Sequence, residues 1–210
     1  ISAHSNAEKL SQIASEFKVP HAYLPETAGE AKNLPSFTDL DRSHDGLLNL
    51  ASLPDAELVV IAVVGASGLS PTLAALKAGK NIVLANKESL VLGGDLVMQT
   101  ARENQARVLP ADSEHNAVFQ CIQGENHRDI DSIILTASGG PFRELPLEGL
   151  KNVTVEQALN HPNWSMGNKV TIDSATMANK GLELMEARWL FDLPPDKLEV
   201  VVHPTSLVHS

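Results

Sequence analysis

Asp112-Ser113-Glu114 places two carboxylates around a serine, directly after residues 107–111, which read as a strand. In an extended backbone, side chains two apart share a face, so both acids would point the same way. The carboxyl ends of strands in an open α/β sheet are where ligands bind. A further acid lies on residues 174–190, a run with helical periodicity. At about 100° per residue with Asn179 at zero, Lys180 falls near 100° and Glu183 near 40°. These three form one polar stripe, while Leu182, Met185 and Trp189 gather at about 240–300° as the expected core face. Three carboxylates with a serine and water are hard oxygen donors, suited to Mg²⁺ or Mn²⁺. Each part also has a plainer explanation. Asp112 or Ser113 could simply cap a helix beginning near His115. The stripe could be a solvated face whose Lys180–Glu183 pair is worth about 0.5 kcal/mol or less.

Other polar clusters are less pointed. His161-Pro162-Asn163-Trp164-Ser165-Met166-Gly167 is polar and aromatic together and bounded by proline and glycine, as a movable lid would be; a loop packing the Trp164 indole on the core fits equally. Gly65-Ala66-Ser67-Gly68 and Ser138-Gly139-Gly140-Pro141 are glycine turns after apolar strands, where backbone N–H groups can approach phosphate. Neither completes the dinucleotide fingerprint. The histidines are scattered, without zinc spacing.

The elements that must position these residues alternate. A helix capped by Asn6 carries Ala7, Leu10, Ile13, Ala14 and Phe17 at helical spacing. Residues 58–64 are rich in β-branched side chains and predict a strand buried on both faces. A helix at 71–80, a strand at 81–85, a helix at 92–105 after Gly93-Gly94 and a strand at 107–111 follow. Then come a helix at 115–124, a strand at 130–136, the irregular stretch 143–169, the helix at 174–190 and a strand at 198–202. This alternation predicts a right-handed, mostly parallel doubly wound sheet.

Composition bounds the partners. Sixteen Lys and Arg against 26 Asp and Glu in 210 residues give a net charge of −10, which argues against nucleic acid or an anionic membrane. Residues 58–66, the longest apolar run, fall short of the ~18 needed to span a bilayer. The single cysteine, Cys121, excludes an internal disulfide framework, fits a reducing compartment and is expected to be a small buried residue. The chain opens without methionine, straight into a helical pattern, and stops just after a strand. Both ends read as cuts inside a larger fold.

Taken together the segments resemble the 1-deoxy-D-xylulose 5-phosphate reductoisomerase family. The resemblance rests on residues 64–69, 84–90, 110–115, 137–142, 161–167, 173–183 and 203–206, in order along the chain. It implies a truncated Rossmann-like NADP-binding domain over 1–111 and an α+β metal- and substrate-binding catalytic domain over 112–210. The family's first strand with its Gly-rich turn and its C-terminal helical domain would lie outside these residues. Asp112, Glu114 and Glu183 would hold Mg²⁺ or Mn²⁺, with Lys87 and His161 completing the catalytic set. Ser113 and Lys87 would meet substrate hydroxyls, and Ser138, Ser174, Asn179 and Lys180 the phosphate, beside His161. Trp164 and Met166 would close over the substrate. For NADPH, Ala62, Val63 and Val64 would line the groove, and Asn86 and Glu88 would meet the nicotinamide-ribose side. Gly167 joins that set, and Ala3, Ser5 and Asn6 fall where the adenosine 2′-phosphate is read. The implied reaction rearranges 1-deoxy-D-xylulose 5-phosphate, by retro-aldol cleavage and re-addition, to an aldehyde that NADPH reduces. A homodimer in the bacterial cytoplasm, or in a plastid-type organelle of a eukaryote, is the implied setting. Two other outcomes stay open: another metal-assisted NADP oxidoreductase, or a chain that binds metal and phosphate without turning over.

Overall fold

The computed structural model describes residues 1–210. The first helix, α1 (Ala7–Glu16), starts where expected, with Asn6 Oδ1 accepting from the Lys9 N–H at 2.9 Å. Two three-residue strands follow, β1 (His21–Tyr23) and β2 (Asp39–Asp41), paired in parallel, and Ser2 bridges to Tyr23 on the other edge of β1. Three residues are too few to show alternation, so neither strand is legible in the sequence. Next come α2 (Gly46–Ala51), β3 (Leu58–Ile61), a 3₁₀ turn at Gly65–Gly68 and α3 (Leu69–Lys77). They are followed by β4 (Asn81–Leu84), α4 (Lys87–Glu103) and β5 (Val108–Pro110). Strands β3, β4 and β5 form one parallel sheet in that order.

The rest of the chain builds α5 (Ser113–Cys121), β6 (Ile133–Ala137), α6 (Val155–Leu159), α7 (Asn168–Ala175), α8 (Ala178–Leu190) and β7 (Leu198–Val202). Strand β7 pairs in parallel with β6 over all five residues. Every pairing is parallel, as the alternation predicts, yet the strands form three small sheets rather than one doubly wound sheet.

Three apolar clusters result, the smallest being Leu10, Ala22 and Leu24 around α1 and β1; the two larger ones are cores that bear on the site. Leu76, Ile82, Leu84, Leu90 and Val97 are buried between α3, α4 and β4, each contributing about 1.5–3 kcal/mol by leaving water. Val118, Ile133, Leu135, Ala187 and Phe191 fill the space between α5, β6 and α8. Helix α8 joins them, because Trp189 packs on the first core and Ala187 lies within the second. The Trp189 indole lies so close over Gly94 that a Cβ there would stand 2.3 Å from it. Gly93 takes a non-helical φ of −148° and kinks α4. The Gly93-Gly94 pair is thus a kink inside a helix that begins at Lys87, not a break before one.

Four other expectations need correcting. Residues 58–64 form a four-residue strand that is not buried on both faces: Val60 is 63% and Val64 70% exposed. Strand β3 has β4 on one side only, and its outer edge faces a cleft of about 450 Å³ lined by Ile1, Ser2, Leu50, Val59 and Val63. The run 174–190 is two helices, separated at Met177, which adopts the left-handed φ of +67°. On α8 the polar stripe is buried, with Lys180, Glu183 and Glu186 all inside, while of the expected core face Trp189 packs on the first core and Met185 is 51% exposed. Cys121 is exposed, at the end of α5.

Candidate metal centre

Asp112 sits in extended conformation immediately before α5, but its side chain makes no capping hydrogen bond. Its carboxylate reaches across to Lys87 Nζ at 2.7 Å, so the capping explanation fails. Glu114 lies in the first turn of α5 and Glu183 in the middle of α8. The two polar segments converge because α5 and α8 pack on the same core. One carboxylate oxygen from each of Asp112, Glu114 and Glu183 lies within 4.8 Å of the other two.

Two ammonium groups are woven into these acids. Lys87, first residue of α4, contacts Asp112, Asn179 Oδ1 at 2.6 Å and Glu183 Oε1 at 3.4 Å. Lys180 Nζ lies 3.0 Å from Glu114 Oε1 and also touches Glu183 Oε2. Asn179 Nδ2 donates to Glu183 Oε1. Burial alone would raise the Glu114 carboxyl, but the charge and hydrogen bond of Lys180, with Ser113, hold it down at about 2. Glu183 goes the other way: burial and the charges of Asp112 and Glu114 raise it despite Lys180 and Lys87. Lys87 stays above its usual value because Asp112 and Glu183 outweigh its burial.

This set fits a hard divalent cation. Three acids face only two ammonium groups, and the buried Glu183 Oε2 has the Lys180 ammonium against it. A doubly charged ion would relieve the repulsion from Asp112 and Glu114 that raises Glu183. A second cluster, Asp112, His115 and Glu186, also brings its donor atoms within 4.8 Å. It lies deeper, with His115 fully buried and Nε2 2.9 Å from the Glu183 main-chain oxygen. Burial lowers His115 and raises Glu186 to about 8.

The acids line a cavity of about 390 Å³ whose other wall includes Ser138, Gly139, Gly140, His161, Trp164, Met166 and Ser174. His161 Nδ1 accepts from the Asn163 and Trp164 N–H groups, at 3.2 and 3.0 Å. Its Nε2 therefore carries the proton in the neutral ring and donates to Ser138 Oγ at 3.1 Å. Burial lowers its pKa. Gly140 has a φ of +68°, and a Cβ there would meet the Ser174 carbonyl oxygen at 2.2 Å, so only glycine brings this loop against α7. Trp164 is half exposed, and Asn163 Nδ2 ties the segment to the Pro204 oxygen at 2.8 Å.

The expected phosphate group is split. Ser138 and Ser174 stand together on the loop side, while Asn179 and Lys180 are engaged with the carboxylates. The expected cofactor residues lie elsewhere. Ala62 and Val64 are exposed beside β3 and Val63 is half-buried there; Ser5 and Asn6 are exposed at the start of α1, beside half-buried Ala3. Asn86 is buried with its polar atoms in use: Nδ2 faces the Val63 and Gly65 oxygens, and Oδ1 accepts from Ser89. Glu88 pairs with Lys169 at 2.8 Å, just past Gly167, which precedes α7.

Three contributors escape a reading of the sequence. His209 Nε2 lies 2.9 Å from Ser113 Oγ and 3.7 Å from Glu114. His115 and Glu186 line up beneath the acids. Glu186, three residues beyond Glu183, continues the polar stripe and could have been found by extending it one turn; His209, 95 residues beyond Glu114, left no local signal.

The chain is similar to known proteins along its whole length. The family described as 1-deoxy-D-xylulose 5-phosphate reductoisomerase matches residues 1–94, and its C-terminal domain matches residues 108–191. Curated relatives of that name from Clostridium novyi (strain NT) and Clostridium kluyveri are 58% and 51% identical across the whole chain. This chain belongs to the 1-deoxy-D-xylulose 5-phosphate reductoisomerase family. It spans 56% of the length of those two relatives. A crystal structure of DOX-P reductoisomerase in complex with NADPH, fosmidomycin and magnesium superposes with a TM-score of 0.90 at 45% identity, covering 99% of this chain and 55% of that one. The reductoisomerase from Zymomonas mobilis in complex with NADPH gives 0.87 at 41% identity, covering 99% and 54%. The α/β architecture with parallel sheets is that of the family.

Proposed function

We propose that this chain carries the metal- and substrate-binding site of a 1-deoxy-D-xylulose 5-phosphate reductoisomerase. That enzyme would convert 1-deoxy-D-xylulose 5-phosphate to 2-C-methyl-D-erythritol 4-phosphate with NADPH, in non-mevalonate isoprenoid synthesis. The observation that carries this reading is the convergence of Asp112, Glu114 and Glu183, from two distant segments, on one cavity. The magnesium and NADPH named for a structure at 45% identity support it. When bound, Mg²⁺ or Mn²⁺ would polarise the substrate ketone as a Lewis acid and NADPH would supply the hydride.

The chain's own residues would do the rest. Asp112, Glu114 and Glu183 hold the ion. Lys87 and Ser113 orient substrate hydroxyls. Ser138 and Ser174 receive the phosphate, with His161 Nε2–H as a neutral donor beside them. Lys180 and Asn179 reach that corner by turning away from the acids, a move that a cation on those acids would favour by repelling the Lys180 ammonium. Trp164 and Met166 exclude water from above. Phosphate held at a distance from the reacting carbons supplies binding energy that orients them. Ala3, Ser5, Asn6, Ala62, Val63, Val64, Asn86, Glu88 and Gly167 form the NADPH side, with Asn86 shaping the groove through the backbone it holds. The division is 1–111 for the nucleotide and 112–210 for metal and substrate, supported by the separate cores.

The reading extends to a homodimer, supported by Ile134 and Val201 exposed on the outer face of β6–β7, and to the cytoplasm. No helix is long and apolar enough to cross a membrane. The deciding experiment is NADPH oxidation with 1-deoxy-D-xylulose 5-phosphate and Mn²⁺ by the whole enzyme. Turnover that survives Glu183→Gln at low Mn²⁺ defeats the reading. A second reading, that these 210 residues alone bind Mn²⁺ but reduce nothing, is favoured by the open outer edge of β3 beside the cofactor residues. Steady NADPH oxidation by the 210-residue chain defeats it.

A further inference from the structure

Beneath the three acids lies a pair that the proposed chemistry does not use. His115 is fully buried, and its Nε2 is 2.9 Å from the Glu183 carbonyl oxygen. A carbonyl only accepts, so Nε2 bears a proton and donates. Nδ1 makes no hydrogen bond of normal length, and 3.5 Å away stands Glu186 Oε2, also buried and also without a partner. A single proton between Nδ1 and Oε2 satisfies both, whichever of the two carries it. Without it, two orphaned polar atoms would face each other out of water, each costly.

We propose that Glu186 and His115 are a positioning pair: Glu186 fixes the orientation of the imidazole, whose Nε2–H then pins the main chain at Glu183 and so holds the Glu183 carboxylate beside Asp112 and Glu114. The proposal rests on the metal reading given above. Its logic is connective. His115 belongs to α5, which supplies Glu114 at the preceding residue, and Glu186 lies one turn from Glu183 on α8. The pair therefore ties together the two elements that must bring three acids to one ion. Phe191, at the end of α8, packs tilted against the His115 ring with centroids 6.3 Å apart and limits its rotation.

The test is Mn²⁺ affinity, read from the electron paramagnetic resonance of free Mn²⁺, together with the ring-proton signal of His115 by NMR. Glu186→Gln keeps a donor for Nδ1, whereas Glu186→Leu keeps the bulk and removes it. Glu186→Gln is expected to bind Mn²⁺ within about threefold of wild type and to retain a protected Nε2–H, while Glu186→Leu weakens Mn²⁺ roughly 10–100-fold and loses that proton signal. Wild-type affinity in Glu186→Leu overturns the proposal alone. A tenfold loss in Glu186→Gln also overturns it, because Glu186 is then a ligand of the second acid–histidine cluster; this arm decides even if Glu186→Leu does not fold. Failure of the wild-type protein to bind Mn²⁺ overturns the metal reading and the pair's role with it.

Discussion

The carboxylate cavity and the cleft along β3 are of similar size and opposite character. The cavity, about 390 Å³, is walled by charged groups from α4, the start of α5 and α8, nearly all of them paired with one another. The cleft, about 450 Å³, is mostly apolar, and the outer edge of β3 meets no strand across it. In the first, three acids and two ammonium groups are held by helices anchored in two cores, so the side chains are preorganised. In the second, Leu58 and Val60 stand about half exposed or more. The chain thus carries a finished polar site and an unfinished apolar one, and perturbations should be felt very differently in each.

The largest effect should come from the acids themselves. Glu183→Gln is expected to weaken Mn²⁺ binding by roughly 100-fold or more, since loss of a ligand should exceed the loss of a residue that merely orients one. Titration by calorimetry checks this, and unchanged affinity would remove the contrast between the two regions. Next, Gly140→Ala should cost about 3 kcal/mol, because the left-handed φ and the clash with the Ser174 carbonyl act together. Urea denaturation would measure it, and a neutral result would mean that the loop does not press on α7.

Acid should loosen the cavity's loop wall. Burial lowers the folded-state pKa of His161 below 6.5. Its stabilising contribution is therefore fully present above pH 6.5 and is lost as the pH falls through the lowered folded value. Protonation at Nδ1 would also break its bonds from the Asn163 and Trp164 N–H groups. Hydrogen exchange at those two amides should accelerate, relative to the intrinsic rate, as the pH falls below 6.5; constant protection would count against this. The smallest effect belongs to the cleft. Val60→Thr should change stability by less than about 0.5 kcal/mol, given its exposure. A loss above about 2 kcal/mol would show that something covers β3 in solution and would erase the comparison.

How much of this was legible varies residue by residue. Asn6 capping α1 was readable because a cap and its helix are neighbours in the chain. Asp112, Glu114 and Glu183 were readable as candidates from spacing, and as one site only through the family resemblance. The αL break at Met177 was not, since nothing in a helical pattern announces a residue forced to positive φ. The burial of the polar stripe on α8 was missed because Lys180, Glu183 and Glu186 look solvated until partners appear. Those partners, Lys87, Glu114 and His115, lie 66 to 96 residues away.

By itself the sequence determined the existence of most of the longer helices, the parallel alternation, the carboxylates and the family. Local periodicity, caps and contiguous motifs are written within a few turns of chain. Only the tertiary structure decided that the acids face inward, that Lys87 and Lys180 pair with them, and that His115 and Glu186 stand beneath. Those outcomes depend on how α5 and α8 pack over one core, and contacts between such distant segments leave no local pattern to read.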